Sequence, residues 1–557
     1  MRSITYAIIG MCLYSFFCYS QTDEDVIRYS NITTGGDTRF LGMAGAMGAL
    51  GGNMSCASYN PAGLGIMVKS DLNFSFGLNF ANTITQFNQS ENKKFSPAMT
   101  FNFLGISGTA ASKRFADNRY TFAITLNQLQ NFNQDIEIKG RPTRGKSITL
   151  DMLDYAKGKS PQNLDATYEG AAYNTYAIDL LYPNDYNSYY SYIDTSKTFM
   201  QVQKVNQSGR INELNFSYAY SFNDNFYVGG SLSIPFLKYG YNSEYAEIDD
   251  LNQMNITMVS TNSVVSSYSY PVNYYKDTTT NTLYIDGIKD FRYQSTYTTT
   301  ATGFNVKLGT IIRANDFVRF GVYYHSPTWY NAKDVYYYTF TTNWDNGKSI
   351  SQTVPDGGGM YNYTLITPSK AGVAFSGILK NIMSFNADYE LIDYSKGKLS
   401  SKDVGVFDNA NKALREKYRL SGNLKFGIEL NTKPVMFRMG WASYGSPFGN
   451  QITGNYVRNA FSFGCGFKTT YFYYDIAVIK TFSGKQEYYM YNPKYSDVVN
   501  IQLNKTQIVF TIGLIGKRYD EDIDWDKYNQ PPGTIPSRNN PSKDIQNNNP
   551  DKPVIPY

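Results

Sequence analysis

The sequence predicts an all-β protein, a membrane β-barrel of about 14 antiparallel strands. Three observations lead to this prediction. Apolar and polar residues alternate along many short runs, a period that gives each strand one apolar and one polar face. The links between these runs are short and long in turn. Aromatic residues make up 16% of the chain, with 51 Tyr and 35 Phe, which suits the aromatic girdles of a membrane barrel.

Residues 1–20 have the features of a secretory signal peptide. Arg2 supplies a positive charge, Ile4–Phe17 is mostly apolar, and a cleavage site precedes Gln21. No later stretch approaches the ~20 apolar residues of a transmembrane helix. The mean hydropathy of −0.41 would by itself suit a soluble protein. A membrane barrel can also have a low mean hydropathy, because only alternate residues of its strands face lipid.

The next segment, residues 21–70, is predicted to be a compact N-terminal unit that precedes the barrel. Its stretch Arg39–Gly65 is too rich in glycine for a stable helix. The same stretch is too apolar for a free linker. The first strand follows at once, and every second residue from Leu72 to Phe80 is apolar.

The alternating runs give fourteen predicted strands, and residues 71–517 are assigned to the barrel. The strands lie near 71–80, 97–109, 119–131, 211–222, 225–238, 297–313, 317–331, 363–377, 383–393, 420–430, 434–444, 458–469, 471–483 and 504–516.

The links sort by strand parity. After even-numbered strands they are short, around 113–118, 223–224, 314–316, 380–381, 431–434 and 469–470. After odd-numbered strands they are mostly long, at 132–210, 239–296, 332–362, 394–419 and 484–503. Short turns at one end and long extracellular loops at the other are typical of outer-membrane barrels. An even strand count places both termini in the periplasm.

Two further segments differ from the strands in composition. Residues 403–418 have a helical composition and are predicted to form a short helix in an outer loop. Residues 518–557 contain seven prolines among Asn, Asp and Lys, and few apolar residues. Such a composition cannot bury a core, so a disordered or extended periplasmic tail is predicted there.

At the end of the glycine-rich stretch, the chain resembles the FadL/TodX family of outer-membrane transport proteins. The resemblance rests on the motif Asn60-Pro61-Ala62-Gly63-Leu64 and on segments 321–330, 385–395 and 437–448, which look like strand ends of the family's Bacteroidota members. It implies that residues 21–70 form a hatch inside the barrel, in the bacterial outer membrane. The simpler interpretation of Asn60-Pro61 is a turn that starts the first strand.

Charged residues on predicted inward faces are interpreted as a polar network that braces the hatch. They are Glu213, Asp388, Glu390, Lys425, Glu429, Arg438 and Asp475. Asp388 and Glu390 could instead act as an acid/base pair, but they lie two apart on one strand and so both point into a polar lumen. The single histidine, His325, has no evident nucleophile or metal partner. No catalytic residue, metal site or cofactor is predicted.

The resemblance implies uptake of hydrophobic small molecules, either fatty acids or aromatic compounds, with lateral release into the membrane. The rival hypothesis is a non-transporting barrel subunit of a larger outer-membrane export or assembly complex. Such a subunit would dock outer-membrane or periplasmic proteins through its long loops and residues 518–557. The loops 132–210 and 239–296 resemble nothing in the family, so the ligand-binding residues are unknown. No run of Lys or Arg suggests nucleic acid as a partner.

Overall fold

The computed structural model describes residues 22–518, except 32–34, 112–117, 183, 255, 260–273, 278–281, 286, 381, 450, 451 and 453. The predicted signal peptide and nearly all of the predicted tail lie outside the described residues. The described helices are α1 (Asp23–Ser30), α2 (Thr38–Gly42), α3 (Ile148–Ala156), α4 (Glu169–Asn174) and α5 (Asp408–Lys417). Short 3-10 helices cover Met54–Ser58, Pro61–Ile66, Pro161–Asn163 and Tyr394–Lys396.

Fourteen antiparallel strands form a closed ring in the described part of the chain. They are β1 (Lys69–Phe87), β2 (Ser90–Ala111), β3 (Arg119–Asn131), β4 (Met200–Phe222), β5 (Phe226–Ile248), β6 (Ile288–Arg313), β7 (Val318–His325 and Trp329–Trp344), β8 (Ser349–Ile366 and Lys370–Leu379), β9 (Met383–Asp393), β10 (Leu420–Asn431), β11 (Val435–Tyr444), β12 (Arg458–Lys468), β13 (Phe472–Ser483) and β14 (Val498–Arg518). The ring closes because β1 pairs with β2 on one side and β14 on the other. The predicted fourteen-stranded barrel is confirmed.

Additional short strands lie in the connections on the loop side. Gln134–Gly140 continues β3 along β4. The others are Ile178–Leu180, Tyr189–Ser191, Ile256–Val259, Tyr274–Asp277, Thr282–Ile285, Lys398–Ser400 and Gln486–Tyr489.

An apolar band surrounds the outside of the barrel, and every strand contributes to it. One large side chain per strand, 41% to 58% exposed, illustrates the band: Phe74, Ile106, Phe122, Phe216, Leu232, Leu308, Phe320, Val373, Phe385, Phe426, Met439, Phe463, Tyr474 and Ile512. A closed ring leaves no unpaired strand edge in lipid, and an outward apolar band is the membrane face of outer-membrane barrels. The chain is therefore an outer-membrane β-barrel. No helix in the described residues is long and apolar enough to cross a membrane.

The strands extend well beyond the predicted bounds on the loop side. β5 has 23 residues and β6 has 26, whereas about 9–11 residues cross a bilayer. Much of the predicted loops 239–296 and 332–362 is therefore strand. The alternation fades there, because both faces of these extensions contact protein or water rather than lipid.

The connection between β3 and β4 folds onto these extensions, and residues 141–199 are called the outer domain. Its helix α3 buries Met152 in an apolar cluster with Trp344 of β7. Glu247 of β5 is fully buried and accepts hydrogen bonds from the Ser147 hydroxyl (2.6 Å) and the Ile148 amide (3.0 Å). These bonds hold the start of α3 against the barrel wall.

Candidate functional site

Residues 22–31 and 35–68, called the N-terminal segment, lie inside the barrel. Helix α1 occupies the loop-side half of the lumen and packs against α5 and inward faces of the wall. The 3-10 helix Pro61–Ile66 lies near the periplasmic end and contacts β4, β5 and β6. The chain then enters β1 at Lys69. The candidate functional site is the contact between this segment and the wall.

The predicted motif Asn60-Pro61-Ala62-Gly63-Leu64 forms the start of that 3-10 helix and is fully buried. The Asn60 side chain caps the helix by accepting from the Ala62 amide at 3.2 Å. Its amide nitrogen donates to the Gly48 carbonyl at 2.6 Å. Asn60 therefore joins two turns of the N-terminal segment.

Glycines in the wall allow the N-terminal segment to approach closely. A Cβ at Gly309 of β6 would lie 1.8 Å from the Asn60 Oδ1 atom. A Cβ at Gly321 of β7 would lie 2.4 Å from the Gly48 carbonyl oxygen. No larger residue fits at these two positions without moving the segment.

One buried charge network links α2 to three strands. The Arg39 guanidinium binds both oxygens of Glu429 on β10, at 2.8 and 2.7 Å. Arg438 of β11 binds the same carboxylate at 2.8 Å and Asp475 of β13 at 2.7 Å. Paired guanidiniums and carboxylates of this kind are strong charge-assisted contacts. The two guanidiniums and the two carboxylates balance in charge, so removal of any one of them leaves an opposite charge without its partner.

A second polar cluster surrounds Tyr59. The Tyr59 hydroxyl lies 2.6 Å from that of Tyr323 and accepts from the Lys425 ammonium at 3.2 Å. The Lys425 Nζ atom also lies 4.4 Å from the centre of the Tyr59 ring, which is within cation–π range. Ring nitrogen Nε2 of His325 is 2.6 Å from the Tyr59 carbonyl oxygen. Two strands, β7 and β10, thus hold one tyrosine of the N-terminal segment.

The two carboxylates of β9 have different partners. Asp388 accepts from the Gly48 backbone amide at 2.8 Å. Glu390 accepts from the Asn423 side chain on β10 at 2.9 Å.

Glu213 of β4 contacts the wall rather than the N-terminal segment. It is fully buried, forms an ion pair with Lys307 of β6, and accepts from Asn305 at 3.2 Å. Of the seven charged residues singled out from the sequence, Asp388, Lys425 and Glu429 touch the segment directly. Arg438 joins through Glu429 and Asp475 through Arg438. The hydrogen bonds of Glu213 and Glu390 described above go to wall residues.

An aromatic space, called the outer chamber, surrounds α1. Val26 and Tyr29 of α1 are fully buried. The Tyr29 ring meets Phe132 and Tyr239 edge-on, with centroids 6.0 and 5.9 Å apart. Other chamber residues come from β7, β8, α5 and the loop after β9: Tyr330, Tyr363, Tyr394 and Leu414. The helix therefore fills an apolar space inside the barrel.

Polar contacts fix the two ends of α1. Arg28 pairs with Asp25 and places its guanidinium carbon 4.8 Å from the Tyr239 ring centre. Burial raises the pKa of the Asp25 carboxyl, and the charge of Arg28 opposes that shift. At the start of the helix, Asp23 accepts from Lys417 at 3.1 Å and from the Tyr418 hydroxyl at 3.0 Å. These contacts tie α1 to the outer loop around α5.

Strands β7 and β8 are both interrupted at the same level, at residues 326–328 and 367–369, which together are called the wall break. The strand pairing passes from His325–Lys370 directly to Trp329–Ile366. Each interruption contains a proline, Pro327 or Pro368, which has no amide hydrogen for the strand ladder.

Two cavities border the N-terminal segment. One of about 50 Å³ lies behind the wall break and is lined by polar and charged groups, among them Glu213, Lys307, His325 and Lys370. The other, of about 300 Å³, lies at the periplasmic end and is called the periplasmic vestibule. Among the described residues, no group of three or more His, Cys, Asp or Glu side chains is placed to hold a metal ion.

Several of these partners were not singled out from the sequence. Arg39, Tyr59 and Lys307 carry no local pattern that identifies their role. His325 belongs to the predicted strand 317–331, but β7 resumes at Trp329 and continues to Trp344, so the histidine lies in mid-wall and faces inward. The prolines at 327 and 368 were the sequence signal from which the wall break could have been predicted, since proline is unfavourable inside a sheet.

No family model and no curated protein matches the chain. Among solved structures, a Pseudomonas aeruginosa FadL homologue is 12% identical, covers 88% of this chain and 99% of its own, and gives a TM-score of 0.49. The Pseudomonas putida toluene transporter TodX is 9% identical, with 87% and 99% covered and a TM-score of 0.47. The Ralstonia pickettii toluene transporter TbuX is 13% identical, with 87% and 99% covered and a TM-score of 0.43. The chain is thus similar to solved members of the FadL/TodX family, which its sequence motifs resemble.

Proposed function

We propose that this protein takes up hydrophobic small molecules across the outer membrane and releases them sideways into the membrane. The outer chamber is the observation that carries the proposal. It is an aromatic space inside the barrel that holds a helix of only eight residues. A helix of that length is not stable alone in water. A ligand with enough apolar surface could therefore take the place of α1, since burial of apolar area favours either occupant.

In this proposal, residues 21–70 are the hatch. The lumen is filled by the N-terminal segment, so passage of a ligand requires part of it to move. The wall glycines at Gly309 and Gly321 and the pair Arg39–Glu429 define its resting position. Displacement of α1 and then of the Asn60 turn would open the path from the outer chamber toward the wall break.

The wall break is the proposed lateral exit. Two hydrogen bonds cross it, from the Thr367 amide to the Thr328 carbonyl at 3.0 Å and from the Thr328 amide to the Thr367 hydroxyl at 3.0 Å. Because Pro327 and Pro368 donate no amide hydrogen, β7 and β8 would lose fewer bonds on separating here than along a continuous ladder. The adjacent cavity is bordered by two lysines, Lys307 and Lys370, and by two glutamates, Glu213 and Glu390. Its charges therefore balance and do not distinguish fatty acids from aromatic compounds as ligands.

A reversible lock on α1 tests the proposal. A Cβ at Gly397 would lie 2.4 Å from the Val26 Cγ1 atom, so a disulfide can join Val26→Cys to Gly397→Cys. Cys465→Ser removes the more accessible of the two thiols in the described part of the chain. We expect oxidation of the lock to lower uptake of labelled oleate by cells at least tenfold, and reduction to restore it. Val26→Cys alone, oxidised in the same way, is the matched control.

Two results of this experiment would contradict different parts of the proposal. Undiminished uptake by the oxidised double variant would show that α1 does not move during transport. No uptake of oleate or toluene by the unmodified protein, above cells that lack it, would contradict the transport function itself.

The outer domain favours a second candidate, a non-transporting subunit of an export or assembly complex. It is packed onto the barrel through α3, and it exposes Tyr155, Leu181 and Tyr182. Truncation after Arg518 distinguishes the two functions, because β14 already closes the barrel. A transporter should keep its uptake. A docking subunit should lose the periplasmic proteins that co-purify with it, since proline-rich segments are frequent docking elements.

A further inference from the structure

The periplasmic vestibule is a cavity distinct from the outer chamber. Its walls are the periplasmic ends of strands from β6 to β13, its roof is residues 50–53 of the N-terminal segment, and the β6–β7 and β8–β9 turns form part of its rim. Its volume of about 300 Å³ could hold several side chains. Access to it is from the periplasm.

The vestibule has an excess of positive charge. Six basic and four acidic side chains border it. Arg39 and Arg438 share Glu429 and Asp475, and Arg313 pairs with Asp316. These pairs balance one another.

The other three basic residues are Arg319, Lys380 and Lys468. None has a carboxylate within ion-pair distance among the described residues. Arg319 donates to the Leu50 carbonyl at 2.8 Å. The Lys468 side chain is half-buried, where an unpaired charge is unfavourable. An anionic ligand would therefore be stabilised here.

The same cavity also has an apolar lining, which includes Leu50, Phe317, Ile378 and Met436. A matching ligand needs carboxylates and apolar side chains on one short segment.

The chain contains such a segment directly after the barrel. β14 ends at Arg518, opposite Lys69 of β1, and Asp71 on the same strand borders the vestibule. The following residues, which lie outside the described part, include Asp520-Glu521-Asp522-Ile523-Asp524-Trp525-Asp526. At roughly 3.3 Å per residue, the eight residues from 519 to 526 can span about 26 Å. The segment therefore starts at the rim and is long enough to reach inside.

We propose that residues 520–526 bind in the periplasmic vestibule. In an extended chain, alternate side chains point to opposite sides. Ile523 and Trp525 would then face the apolar lining, while Asp522, Asp524 and Asp526 on the other face meet Lys380 and Lys468. This self-docking does not depend on whether the protein transports a ligand.

A peptide competition measures this contact in the full-length protein. The tail is neutralised by Asp520→Asn, Glu521→Gln, Asp522→Asn, Asp524→Asn and Asp526→Asn, which frees the vestibule. A fluorescent peptide of residues 519–528 is then titrated onto the purified protein in detergent. We expect at least tenfold tighter binding to the neutralised protein than to the unmodified one. Raised salt should weaken the binding, because it screens exposed ion pairs.

Charge reversal locates the peptide. In the neutralised protein, Lys380→Glu with Lys468→Glu should lower the peptide's affinity at least tenfold. Lys433→Glu is the matched control, since this exposed lysine lies in a periplasmic turn outside the vestibule lining. Absence of binding to the neutralised protein, or equal binding by the reversed and control proteins, would overturn the proposal.

A cross-link decides the question if the charge-reversed protein fails to fold. In a Cys465→Ser background, Lys380→Cys should form a disulfide with Asp524→Cys in the full-length chain. Lys433→Cys with Asp524→Cys should not. Cross-linking of both pairs to the same extent would show that the segment has no fixed site.

Discussion

Glu429 shows how single residues hold the N-terminal segment in place. Two guanidiniums, Arg39 from the segment and Arg438 from the wall, bind its two oxygens. Isolated ion pairs at a surface contribute little to stability, but removal of one partner from a buried pair leaves an uncompensated charge. The strength of the contact between segment and wall therefore depends on this carboxylate more than on any exposed pair.

Glu429→Gln should destabilise the N-terminal segment by about 3 kcal/mol or more, the range for an uncompensated buried charge. Trypsin cleavage at Arg39 in the folded barrel, followed over time, measures the exposure of the segment. Glu416→Gln is the control, because Glu416 is exposed and lies 3.9 Å from Lys412. Its effect should be about 0.5 kcal/mol or less. Equal cleavage of the two variants would contradict a bracing role for Glu429.

At the scale of elements, the 3-10 helix Pro61–Ile66 positions the lower part of the segment. Asn60 caps it, Pro61 starts it, and the wall contributes Gly309 beneath the cap. A proline in the first turn loses no helix hydrogen bond and has a suitable φ angle. The element thus depends on a local motif and on a glycine some 250 residues away.

Replacement of Asn60 and Pro61 together by Ala should loosen the hatch without unfolding the barrel, since loss of an N-cap costs about 1 kcal/mol. Hydrogen exchange of residues 35–68 should rise, while heat-modifiable gel mobility, a property of folded barrels, persists. The same double change at Asn492-Pro493, in the outer connection before β14, is the control. Failure of the Asn60-Pro61 variant to fold would mean that the segment nucleates the barrel.

At the scale of the whole molecule, the ring and the alternating link lengths set the orientation in the membrane. The first and last strands of the barrel meet at the periplasmic rim, where Lys69 of β1 pairs with Arg518 of β14. The long connections and the outer domain lie at the opposite end. An even number of strands is required for this arrangement.

An epitope inserted near Asn255 should be accessible to antibody on intact cells, whereas one at Asn547–Asn549 should not. Permeabilised cells provide the control, in which both epitopes should be stained. The two sites lie on opposite sides of the membrane because an odd number of strands separates them. Reversed accessibility would contradict both the orientation and the strand count.

The sequence by itself determined the barrel wall. The predicted bounds of β3 (119–131) and β9 (383–393) coincide with those observed, because lipid on one face and lumen on the other impose a period of two on each strand separately. Where lipid is absent, as in the outer half of β6, that local pattern fades and the predicted strand is too short. The positions of the short turns could be predicted equally well, because turn residues favour their conformation through local backbone preferences.

Only the tertiary structure decided which residues meet inside the barrel. Arg39 and Glu429 are 390 residues apart, and His325 reaches a tyrosine 266 residues away. The wall break appears only when the prolines of β7 and β8 come to lie side by side. Such contacts leave no periodic trace in the chain, because they depend on ring closure and on the path of the N-terminal segment through the lumen. The pattern of each strand is a local property, whereas the contents of the lumen are a property of the closed ring.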